Sequence, residues 1–123
     1  MNVSDFSIPQ RQALLDLLVL AMYMDGNLAR AEEARVEQLL AKMGVESDYD
    51  RNRDFDASVT RVRQHSQSAD AARACVGRLA QSFTSAAQRR SVYETLSDLT
   101  ALDGQVSAEE SKFLAFVREA FQM

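Results

Sequence analysis

Apolar residues recur along this chain at intervals of three and four, and no stretch alternates with a period of two; that spacing predicts helices and leaves no strand candidate. From Ile8 to Met24 the positions 14, 15, 17, 18, 21, 22 and 24 are apolar. They cover most of a helix circumference, which predicts a helix lying centrally rather than on the surface. Val36, Leu39, Leu40 and Met43 predict a second helix over 29–43, closed by Gly44. Phe55, Val59 and Val62 anchor a third over 54–65, and Ala72, Cys75, Val76, Leu79 and Phe83 a fourth over 69–83. Val92, Leu96 and Leu99 mark a fifth running to Leu102, and Phe113, Leu114, Phe116, Val117 and Phe121 a sixth. Residues 46–54 are the most polar stretch and carry no apolar period, so they read as a connecting loop with room for a short turn.

Punctuation supports these limits. Ser7 with Gln10, Ser85 with Gln88 and Ser107 with Glu110 have capping-box spacing, and Pro9 is tolerated in a first turn. Gly26 and Gly104 supply left-handed stops after the first and fifth helices. The expectation is all-α: a single-domain helical bundle of about six to seven helices spanning 1–123. It divides into hairpin one (8–44), middle helices (50–84) and hairpin two (86–122).

The two hairpins are copies of one unit. Asp25-Gly26-Asn27-Leu28 leads to Glu32, and Asp103-Gly104-Gln105-Val106 leads to Glu110, an offset of 78 positions. The same offset carries Leu14, Leu18, Val36 and Leu39 onto Val92, Leu96, Leu114 and Val117. It also pairs Asp16 with Glu94, nine residues before each Asp. Nine residues is two and a half helical turns, which puts both on the face opposite the Asp and predicts that both are solvated.

Charge adds a second division. The chain has 123 residues and a net charge of −4, yet residues 51–90 hold eight Arg against three acids, and the remainder is acidic. One reading is a solvated surface of weakly paired opposite charges. The other is a charge-steered surface for a protein partner or for self-association, with Arg61, Arg63, Arg73 and Arg78 as its candidates. A lone Cys75 excludes an internal disulfide and fits a reducing compartment, so the expected location is cytoplasmic. Met1 to Gln10 lacks the basic start of a signal peptide. The longest apolar run, Leu17 to Met24, falls far short of the ~20 residues that span a bilayer. Membrane insertion is not expected, although a peripheral membrane complex is compatible with this.

The Asp-Gly-x-Leu/Val-x-x-x-Glu unit matches the latter half of an EF-hand loop, but oxygen ligands should stand four and two residues before the Asp. Ala21 and Tyr23 stand there in one unit, Leu99 and Ala101 in the other, so neither unit is a calcium loop by itself. Pooled across packed hairpins, Asp25, Glu32, Asp103 and Glu110 could hold Mg²⁺, Ca²⁺ or Mn²⁺. Helix capping explains the same acids: Ser107 and Glu110 form a capping box, and Asp25 and Asp103 can accept from amides of the following helix. Catalysis by Cys75 and His65 lacks an oxyanion loop or nucleophile elbow, and nothing in the chain resembles a phosphate-binding loop. Nucleic-acid binding lacks a basic domain and any Trp.

A helical chain with two such acidic hairpins resembles the TerB-like family, which includes tellurite-resistance proteins and the N-terminal domain of a membrane-anchored DnaJ-like co-chaperone. The matching residues are Ala21 through Glu33 and Thr100 through Glu110 with their flanking helices. The resemblance implies an all-helical, non-enzymatic module and a divalent-cation site at Asp25, Glu32, Asp103 and Glu110. The expected function is a stress-associated protein-interaction module. The alternatives are a metal-dependent hydrolase using the same carboxylates and a purely structural interaction domain without metal.

Overall fold

The computed structural model describes residues 3–24, 30–101 and 107–123, with the side chains of 30–33 excepted. A 3₁₀ turn, Val3–Asp5, precedes six α-helices among these residues: α1 Ile8–Met24, α2 Arg30–Lys42, α3 Asp48–Val62, α4 Ala69–Ala80, α5 Ala86–Thr100 and α6 Ala108–Phe121. A second 3₁₀ turn, Arg63–His65, extends α3. The all-α expectation holds, and among the described residues no helix is long and apolar enough to cross a membrane.

The central helix follows from its residues. Ala13 through Met22 are buried without interruption, and α1 packs against each of α2 to α6. A helix apolar around most of its circumference has little face to offer water, so the other helices surround it. Its start is built as the sequence predicts: Gln10 N–H donates to Ser7 Oγ at 3.3 Å, and Ser7 N–H donates to Gln10 Oε1 at 3.0 Å. The Ser85–Gln88 and Ser107–Glu110 boxes also close. Gly44 ends α2 with φ at +88°, a conformation that favours glycine. Gly26 and Gly104 lie outside the described residues.

Two boundaries differ from the sequence reading. The 46–54 stretch is not a loop: Ser47 caps α3 by accepting from Asp50 N–H at 3.0 Å, and the helix starts at Asp48. Acids in the first turn favour the helix dipole, and Asp50 pairs with Arg53 at 3.3 Å. This opening turn carries no apolar period because it faces mostly water. The fourth helix stops at Ala80, yet Phe83 remains fully buried beyond it. Phe83 sits between Phe6 at 5.4 Å and Phe121 at 6.1 Å, tying the N-terminal turn and the end of α6 into one core.

Candidate functional site

Of the four acids expected to converge, Asp25 and Asp103 lie outside the described residues, and for Glu32 the backbone alone is described, in the first turn of α2. Glu110 is defined. It is the third residue of α6, 4% exposed, with its N–H donating to Ser107 Oγ at 3.0 Å and its Oε1 accepting from Ser107 N–H at 3.4 Å. This is the capping box the sequence allowed. Its other oxygen has a partner that sequence reasoning did not name: Arg35 Nη1 donates to Glu110 Oε2 at 3.1 Å.

Arg35 belongs to α2 and is 5% exposed, so a buried ion pair joins the second helix of hairpin one to the second helix of hairpin two. Two charges taken out of water each lose solvation, and their mutual geometry must restore it. A signal for Arg35 was present in the sequence. It stands four residues before Leu39 on the apolar face of α2, and the repeat offset aligns it with the fully buried Phe113. A charge at a core position requires a partner.

Asp16 is a correction. The expectation of a solvated residue fails: it is 5% exposed and accepts from Ser58 Oγ at 2.5 Å and from Arg61 Nη2 and Nε at 2.8 and 2.9 Å. The helical period placed Asp16 on the face away from the bend, but α3 covers that face of α1. Glu94, its counterpart on α5, is exposed as expected. The hydrogen-bonded Asp16 carboxylate outweighs partial burial and holds the Arg61 guanidinium above its ordinary pKa.

The four arginines expected to form a partner surface take different positions. Arg61 is turned to Asp16. Arg63 lies exposed in the 3₁₀ turn after α3. Arg73 pairs with Glu119 on α6 and lies 5.9 Å over the Phe116 ring. Arg78 reaches back to His65, with Nη2 at 3.2 and 3.3 Å from the two ring nitrogens. Arg61 and Arg78 line one open hollow of about 320 Å³ between the end of α3 and α4, together with His65 and Cys75. Burial raises the Cys75 thiol above its usual pKa, against the opposing pull of Arg78.

Among the described residues no group of three or more His, Cys, Asp or Glu is arranged to hold a metal ion. A family model described as "Tellurite resistance protein TerB" matches residues 11–123. No curated protein and no solved structure matches the chain.

Proposed function

The chain belongs to the TerB family, and from that premise we propose that it is a stress-associated module of the tellurite-resistance type. It acts by binding protein partners or a second copy of itself and not as an enzyme, and it takes a divalent cation between its two acidic hairpins. Its setting is the cytoplasm, where it can join a complex at a membrane surface without inserting.

The observation that carries this reading is the buried Arg35–Glu110 contact. It joins α2, which follows Asp25-Gly26 in sequence, to α6, which follows Asp103-Gly104, and a site shared between the copies needs those two helices close together. Asp25, Glu32 and Asp103 would hold Mg²⁺, Ca²⁺ or Mn²⁺. Glu110 fits in part: each carboxylate oxygen has a second lone pair to offer, while the guanidinium beside Oε2 opposes a cation there. When bound, the ion neutralises repulsion among the acids. The chain's own residues do the rest, with Arg35 holding Glu110 and the Ser107 box holding the start of α6.

Thermal melts of chelated protein, with Mg²⁺, Ca²⁺, Mn²⁺ and Zn²⁺ added singly, test the cation. One of the first three raises Tm, chelator reverses the rise, and Asp25→Asn with Asp103→Asn abolishes it. At a hundredfold excess over Kd the stabilisation is about 2.7 kcal/mol. No shift with any ion refutes the shared site. Asn is competent at helix ends and relieves repulsion with the dipole, so a capping role alone predicts an unchanged or higher Tm in the double variant without metal.

A further inference from the structure

The hollow between α3 and α4 has a charge balance unlike the rest of this acidic chain. Its one carboxylate, Asp16, is already engaged by Arg61 and Ser58. Arg78 has no carboxylate partner among the described residues; it meets the ring of His65. Arg78 also hydrogen-bonds the Cys75 sulfur, and a guanidinium has five N–H donors, so these two contacts leave part of the fork uncommitted. Gln64 and Ser82 line the same hollow and add an amide and a hydroxyl. The space therefore gathers hydrogen-bond donors and an uncompensated positive charge, with no unpaired acid to oppose an anion.

We propose that this hollow binds a small free oxyanion of the phosphate and sulfate class, held by the Arg78 guanidinium with His65, Gln64 and Ser82 as supporting donors. A guanidinium matches the paired oxygens of such an ion through two parallel N–H bonds, which a point charge cannot do. The volume of about 320 Å³ admits the ion with part of its hydration. Arg61 stays bound to Asp16, so the net positive charge of the hollow comes from Arg78. The hollow uses none of Asp25, Glu32, Asp103 and Glu110 and requires no divalent metal.

His65 is the only histidine, so its ring-proton NMR signal is a single unambiguous reporter inside the hollow. The whole chain, free of divalent metal, is titrated at fixed pH with sodium sulfate and separately with inorganic phosphate, ionic strength being held constant with chloride. The expected result is a saturating shift of the His65 resonance with both oxyanions and none with chloride. Arg78→Ala weakens the apparent affinity about tenfold or more, a factor of ten being 1.4 kcal/mol. Arg78→Lys weakens it less, and Arg73→Ala, on the same helix but outside the hollow, leaves it unchanged. Isothermal titration calorimetry on the same variants keeps the test independent of the reporter's own surroundings. A response that is linear, that chloride reproduces, or that keeps its saturation constant in Arg78→Ala overturns the proposal.

Discussion

Hairpin one and hairpin two carry the same pattern in different surroundings, and their acids part company for that reason. Asp16 on α1 is buried against Ser58 and Arg61, whereas Glu94, its counterpart on α5, stays in water. The apolar positions explain the divergence. α1 buries ten consecutive residues and is covered by five helices, while α5 buries Val92, Leu96, Leu99 and Thr100 and packs on α6, α2 and α1. A duplicated unit thus keeps its local helix signals but not its environment, because the middle helices lie against α1. The second contrast runs the other way. Arg35 in hairpin one aligns with Phe113 in hairpin two, and the charge survives in the core because Glu110 of the other copy meets it.

Removing one member of that cross-copy pair breaks the comparison most severely. Glu110→Ala removes the carboxylate that meets the buried Arg35 guanidinium and is expected to cost about 3 kcal/mol in chemical denaturation. The double variant Arg35→Ala with Glu110→Ala is expected to cost less than the sum of the singles, which a double-mutant cycle reads directly. Additive losses would show that the two side chains are not energetically coupled.

Asp16→Ala and Glu94→Ala compare the counterpart acids. The first strips buried Ser58 of its acceptor and Arg61 of its ion pair, with an expected loss of about 1–3 kcal/mol. Arg61 can turn toward water, since 40% of its side chain is exposed, which keeps the cost below that of the fully buried pair. The second changes stability by less than about 0.5 kcal/mol. Equal effects would erase the distinction drawn between a covered and an open helix. Between these, Ser107→Ala removes the acceptor for Glu110 N–H and is expected to cost about 1 kcal/mol.

Local physics was legible in the residues. Caps at Ser7, Ser85 and Ser107 and the stop at Gly44 depend on neighbours three or four positions away, so their spacing alone located the helix ends. The start of α3 was local too, at Ser47, but its first turn faces water and gave no apolar period to read. Of the candidate site, only the Ser107–Glu110 box was visible in advance, as a cap.

By itself, then, the sequence determined the all-helical class, the central place of α1 and the duplicated hairpin, since each follows from side-chain periodicity and short-range hydrogen bonding. Only the tertiary structure decided which charges meet. Arg35 finds Glu110 across 75 residues and Arg61 finds Asp16 across 45, and such pairings depend on how helices pack rather than on any local period. The same packing set His65 beside Arg78 and opened the hollow that they share.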